Sequence, residues 1–113
     1  MTIQYDMFDA QGNIIESHPS TIVIDHYRNG NLAIAVSPIG EEFEDDLIVI
    51  TTNLDLAPTD PNCAFIDDNN NPCVLKWILE NKLGTLTGRC EPSGMWMYDE
   101  VRFDLNEISK YTN

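Results

Sequence analysis

Thr21-Ile22-Val23-Ile24-Asp25-His26-Tyr27-Arg28-Asn29-Gly30-Asn31-Leu32-Ala33-Ile34-Ala35-Val36 is the stretch that decides the fold. Thr21 to Tyr27 is dense in β-branched residues, which suit a pleated, half-buried surface. Asn29-Gly30 tolerates the positive φ angles of a tight hairpin turn. Leu32 to Val36 then returns as a second apolar arm. Two such arms around such a turn read as an antiparallel hairpin.

Outward from this hairpin the β pattern continues. In Thr2 to Phe8, Ile3, Tyr5 and Met7 alternate with Gln4 and Asp6, as in a strand. Asp9-Ala10-Gln11-Gly12-Asn13 is a turn, Ile14 and Ile15 open a short returning strand, and His18-Pro19-Ser20 breaks it. Beyond Val36, Pro38, Gly40 and Glu41-Glu42-Phe43-Glu44-Asp45-Asp46 form a loop with five acids in six residues. Leu47-Ile48-Val49-Ile50-Thr51 is a continuous apolar run, expected of a central strand buried on both faces. Asp55 to Asn62 reads as loop, and Cys63-Ala64-Phe65-Ile66 as a short strand.

One helix interrupts this pattern. Asn71 is placed to cap it, and Pro72 suits a first position where no backbone donor is required. The helix is expected over about 72–82, with Val74, Trp77 and Ile78 on one face and Leu75 and Leu79 widening it. Gly84 is placed to end it in a left-handed cap, with Leu83 packing back. Thr87 to Glu91 and Met95 to Phe103 are two arms around Pro92-Ser93-Gly94, and Asn106 to Lys110 adds a helical turn. The expected fold is a single α+β domain over residues 1–113. It has a mainly antiparallel β-sheet of five to six strands, with one principal helix packed on one face.

Length and composition agree with one domain. A chain of 113 residues can bury a core without disulfides or a metal, and 42% hydrophobic residues argue against disorder. Charge is the anomaly: 19 acidic and 6 basic residues give a formal net charge of -13. Residues 1–60 hold 11 acids against Arg28 alone, and residues 61–113 hold 8 acids and 5 bases. Such a surface repels DNA, RNA and anionic membranes and favours protein partners with a basic surface. The N-terminus has neither a basic nor an apolar signal region, and no apolar run approaches a membrane span, so a cytoplasmic location is expected.

The element order is NGNLAI, an acidic loop before an apolar strand, AFIDDNNNP, LENKLGTLTGR, SG and YDEVRFDL. Over roughly Asn29 to Leu105 this order resembles a family of small bacterial proteins, domain of unknown function 4313. The matching positions include Asn29, Gly30, Leu32 and Ala33. They continue with Ala64, Phe65, Asp67, Asn69 and Pro72, then Glu80, Asn81, Leu83, Gly84, Thr87, Gly88 and Arg89. Ser93, Gly94, Tyr98, Phe103 and Asp104 complete them. The three cysteines and Asp99 stand outside the pattern. The resemblance implies this fold and a setting on conjugative and other mobile elements of bacteria. It implies no activity and supplies no catalytic residue.

The residues that carry chemistry elsewhere are weakly arranged here. Cys63, Cys73 and Cys90 are odd in number and contain no CxxC pair, so they read as reduced thiols, with a Cys63–Cys73 or Cys73–Cys90 contact left open. Asp67-Asp68-Asn69-Asn70-Asn71 is like a calcium loop, but Pro72 and Ile78 occupy the glycine and glutamate positions. Its carboxylates and amides are better suited to the free donors of a helix start. Neither His18 nor His26 is tied by spacing to a nucleophile. Arg89 and Arg102 read as structural cations near carboxylates, opposite one another across the last hairpin. No cofactor or metal is called for.

Two surfaces are candidates for binding. Glu41, Glu42, Phe43, Glu44, Asp45 and Asp46, with Asp25 and also Asp6 and Asp9, would imitate a row of phosphates and enter the basic groove of a nucleic-acid-handling protein, Phe43 serving as an apolar anchor. The competing reading makes that loop a solvated solubility feature. Trp96 and Tyr98 share a strand face, so they form either part of the core or one exposed patch. As a patch they would serve an accessory or oligomerisation module that works through the last hairpin or a sheet edge. A third reading, a small enzyme or metal protein, would need His26, a cysteine and a carboxylate in one pocket.

Overall fold

The computed structural model describes residues 1–40, Glu42 and 46–113. Strands β1 (Ile3–Phe8), β2 (Ile14–His26), β3 (Leu32–Pro38) and β4 (Ile48–Val49) form one antiparallel sheet in that order. Strands β5 (Thr51–Thr52), β6 (Cys63–Ile66), β7 (Gly84–Ser93) and β8 (Trp96–Phe103) form a second, in the order β5-β6-β8-β7. Two short helices accompany them, α1 (Val74–Glu80) and α2 (Leu105–Ser109). The α+β class therefore holds in a coarse sense. The expectation of five to six strands with one principal helix does not, because there are two four-stranded sheets and two helices among the described residues.

The difference lies at Ile50. The apolar run 47–51 is not one central strand. Ile50 N donates to Ile34 O of the first sheet at 3.0 Å, and Ile50 O accepts from Asp67 N beside the second at 2.9 Å. This single, fully buried residue hands the chain from one sheet to the other. Ile48 is half-buried and Val49 exposed, as befits the edge strand β4.

Nor does His18-Pro19-Ser20 break β2, which runs unbroken for 13 residues. Proline lacks a ladder donor and is tolerated where a ladder ends. Pro19 O accepts from Ile39 N at 2.9 Å, so the Pro19 nitrogen faces the same side, just past the last β3 pair, Ser20–Pro38.

The two N-terminal hairpins use the same turn. Tyr27 N donates to Asn31 O, Gly30 N donates to Tyr27 O, and Gly30 has φ 88°. Asp9, Gly12 and Asn13 repeat this arrangement, with Gly12 also at φ 88°. Glycine adopts that angle without the Cβ clash other residues meet.

Helix α1 is shorter than expected at its start. Asn71 is not its cap. Cys73 holds that position in a left-handed conformation without a side-chain bond, and Asp68 Oδ1 accepts from Leu75 N at 2.9 Å instead. Asn71 Nδ2 is engaged with Val49 O and Asp67 O. At the C-terminus the left-handed residue is Lys82 (φ 57°), two positions before Gly84. Leu83 N donates to Ile78 O and Lys82 N to Leu79 O, the paired bonds of a Schellman end. Gly84 instead opens β7, where a Cβ would lie 2.5 Å from Val101 Cγ1 and 2.7 Å from Arg102 O.

The main core gathers Ile3, Tyr5, Ile22, Ile34, Val36 and Ile50 with Trp77, Ile78, Val101 and Phe103. Tyr5 meets Trp77 edge-on at 4.8 Å, and the buried Trp77 Nε1 donates to Gln4 O. Helix α2, capped by Asp104 accepting from Glu107 N, buries Ile108, and Tyr111 O accepts from Ile22 N beyond the start of β1.

Candidate functional site

A second, smaller core lies on the other face of the β5–β8 sheet. Phe65 of β6 and Tyr98 of β8 are covered by Leu54 and Leu56 of the segment 53–62. That segment folds over the sheet as a strap held by polar bonds. Asn53 accepts from Asn29 and Asn31, Ala57 O accepts from Arg89 Nη1 at 2.9 Å, and Asp60 meets Arg102 Nε at 2.8 Å. Opposite the strap stands Glu100, a fully buried carboxylate. It accepts from Thr59 N and Oγ1 on the strap and from Thr87 Oγ1 on β7.

Local sequence explains how Glu100 is reached. Leu86 pairs with Val101 and Cys90 with Asp99, so Thr87, Gly88 and Arg89 together stand against Glu100 alone. Gly88, at φ 90°, permits this bulge, which brings Thr87 and Arg89 to the same carboxylate. Arg89 Nη1 lies 3.8 Å from Glu100 and its guanidinium lies 5.3 Å above the Phe65 ring. Burial pushes the Glu100 carboxyl up, but the Thr59 and Thr87 bonds and the Arg89 charge outweigh it and hold it below its ordinary range. A charged, satisfied carboxylate of this kind holds the strap in place. Glu100 was missed in the sequence; the alternation Trp96, Tyr98, Glu100 was the signal for its face, but nothing local announced Thr59 as its partner.

Among the described residues, the sequence-predicted acids Asp6, Asp9, Asp25, Glu42 and Asp46 lie on separate parts of the first sheet and its loops. Glu41, Phe43, Glu44 and Asp45 lie outside the described residues. Glu42 and Asp46 are exposed, between β3 and β4. Asp25 is exposed on β2 opposite Ala33, towards the other end of the first sheet. Asp6 accepts from Ser17 Oγ at 2.6 Å, and the Asp9 carboxylate closes its own turn through Gln11 and Asn13. Trp96 and Tyr98 share a face but divide: Tyr98 is buried against Leu54 and Phe65, while Trp96 is 41% exposed.

Cations are largely consumed internally. Lys76 pairs with Glu80, Arg89 with Glu91 and Glu100, Arg102 with Asp60, and Lys110 with Glu107. Arg89 and Arg102 are thus each beside carboxylates, though not opposite one another, since Arg102 faces Thr85 and Cys63. Asp67 accepts from Asn70 N and Nδ2, so the acid- and amide-rich loop serves the helix start. Cys63, Cys73 and Cys90 are free thiols, and among the described residues no group of three His, Cys, Asp or Glu could hold a metal ion. His18 lies on β2 opposite Tyr5, and His26 is exposed at the strand end.

One further surface was missed in the sequence. The β7–β8 hairpin exposes Leu86, Met95 and Met97 as well as Trp96. The signal was available: Met95-Trp96-Met97 has no polar residue between Gly94 and Tyr98.

Residues 21–113, from the second arm of β2 to the C-terminus, match the family described as Domain of unknown function (DUF4313). The chain belongs to this family. Comparison with curated proteins and with solved structures gives no match. This DUF4313 domain therefore includes β3 to β8 and both helices, while β1 and the first half of β2 precede the matched region. No helix among the described residues is long and apolar enough to cross a membrane.

Proposed function

We propose that this DUF4313 chain is a non-enzymatic binding protein that engages a protein with a basic surface, of the kind that handles nucleic acid. The observation that carries this reading is the charge. The chain has a net charge of -13. Four of its six basic residues already face its own carboxylates. The remaining acids dominate the outward field, which speeds encounter with a basic partner and opposes contact with nucleic acid itself. On this reading Glu41, Glu42, Glu44, Asp45, Asp46 and Asp25 stand in for phosphates, Phe43 is the apolar anchor, and restriction, CRISPR or transfer machinery of a mobile element supplies the partner.

The test is capture of the partner by the immobilised chain from host lysate, with and without excess duplex DNA. A nucleic-acid-binding protein displaced by DNA is the expected result. It should be lost when Glu41, Glu42, Glu44, Asp45 and Asp46 are all exchanged for lysine. Capture that ignores both DNA and charge reversal would overturn the reading.

A second reading has its own support in the exposure of Trp96. An accessory or oligomerisation module would use the last hairpin, with acidity serving solubility alone. Sedimentation at rising concentration tests it: self-association lost in Trp96→Ser favours it, and a monomer throughout opposes it.

A further inference from the structure

On β8 the side chains of Met97, Asp99 and Val101 point to one face of the second sheet. Their register partners on β7, Pro92, Cys90 and Leu86, point the same way. At Val101 that face is sealed into the main core with Val74 and Ile78. Towards the hairpin tip the cover ends. Leu86 is 50% and Met97 56% exposed, and Cys90 and Pro92 are exposed beside them. The apolar face of a sheet thus continues past its own lid, as interaction surfaces do.

The charged groups identified at this face are acidic. Asp99 stands on it, between Met97 and Val101. Asp68, at the start of α1, is half-buried nearby, and its carboxyl is pushed up by burial first and then by the charges of Asp99 and Asp67. Among the described residues no cation pairs with Asp68 or Asp99. Arg89, the basic residue of β7, is turned to the opposite face by the bulge, towards Glu100 and Glu91. A second copy of the chain would bring the same carboxylates and another net charge of -13 against this face, so like charges oppose it.

We propose that this face docks a basic amphipathic segment of a partner protein. Its apolar side chains lie on Leu86, Pro92 and Met97, and its Lys or Arg side chains reach Asp99 and Asp68. The proposal rests on the reading that the partner is basic, and adds the surface and the form of the partner's element. The flexible thioether of Met97 adapts to the shape of what it covers.

Anisotropy of a labelled synthetic amphipathic peptide of leucine and lysine tests this on the intact chain. Leu86→Ser with Met97→Ser should weaken binding about tenfold or more, since each removes a side chain buried in the complex. Ile14→Ser with Ile15→Ser, a comparable loss of two exposed apolar side chains on another hairpin, should leave binding unchanged. Asp68→Asn with Asp99→Asn should weaken binding and flatten its dependence on salt. Unchanged binding by the Leu86/Met97 variant would overturn the proposal. So would loss of binding in Trp96→Ser alone, which moves docking to the hairpin's other face. If only the lysine-exchanged acidic loop loses the peptide, the basic-partner reading stands and this site falls. If a leucine–glutamine peptide binds as tightly as the lysine peptide, both fall.

Discussion

Arg89 Nη1 lies 3.8 Å from the fully buried carboxylate of Glu100, across a bulge that sets three β7 residues against one on β8. The same guanidinium caps Phe65 and donates to Ala57 O of the strap. Glu100 thus joins β7, β8 and the segment 53–62. Removing the charge of a buried carboxylate that accepts from Thr59 and Thr87 leaves those donors without their acceptor.

Glu100→Gln should therefore destabilise the fold by about 2–4 kcal/mol, because the amide presents a donor where three donors already point. Urea unfolding with an unchanged slope checks this. An effect within experimental error of zero would mean the strap is held by apolar contacts alone.

The pH profile follows from the direction of the same shift. The folded-state pKa of Glu100 lies below its unfolded value. Its contribution is therefore present above the ordinary carboxylate range and is lost as pH falls through the folded value. Asp68 has the opposite sign: its raised folded pKa makes protonation favour the folded state as pH falls through that value. Asp68→Asn should accordingly raise stability at neutral pH and remove the gain on mild acidification, while Glu100→Gln should flatten the loss at lower pH. Thermal melts across pH 3–8 separate the two.

Gly84 and Lys82 make opposite predictions two residues apart. A Cβ at position 84 would overlap Val101 Cγ1 and the backbone of Arg102, so Gly84→Ala should cost about 1–3 kcal/mol. Lys82 holds a left-handed φ of 57° at an exposed position, so Lys82→Gly should stabilise by roughly 1 kcal/mol. Denaturant midpoints moving in the same direction for both would refute this account of the α1–β7 junction.

The thiols report on the strap. Cys90 is exposed, Cys73 half-buried and Cys63 fully buried, with Cys63 N bonded to Asp60 O. A thiol reagent should modify Cys90 first and Cys63 last. Arg102→Ala, which releases Asp60, should speed Cys63 modification without changing Cys90. Equal acceleration at both positions would indicate global rather than local opening.

Much of the fold was legible because its signals are local. The β2–β3 hairpin follows from β-branched arms around Asn29-Gly30, and the buried face of α1 from the spacing of Val74, Trp77 and Ile78. Pro19 breaks a strand only if its missing donor faces a partner, and it faces the end of β3. Gly84 looks like a helix cap by position, yet the left-handed residue is Lys82, and glycine is needed because Val101 comes so close. The run 47–51 reads as one strand because apolarity does not record a change of sheet at Ile50.

The candidate site divides along the same line. Charge is additive, so the sequence by itself determined an acidic chain, the β-rich architecture, and the alternation that sets Trp96, Tyr98 and Glu100 on one face. Burial is a property of neighbours distant in sequence. Only the tertiary structure decided that Tyr98 is covered by Leu54 while Trp96 is bare, that Thr59 and Arg89 converge on Glu100, and that Leu86 and Met97 continue a core face beyond its lid. Each depends on where the strap and α1 stop covering the sheet, and no local pattern of residues encodes where that cover ends.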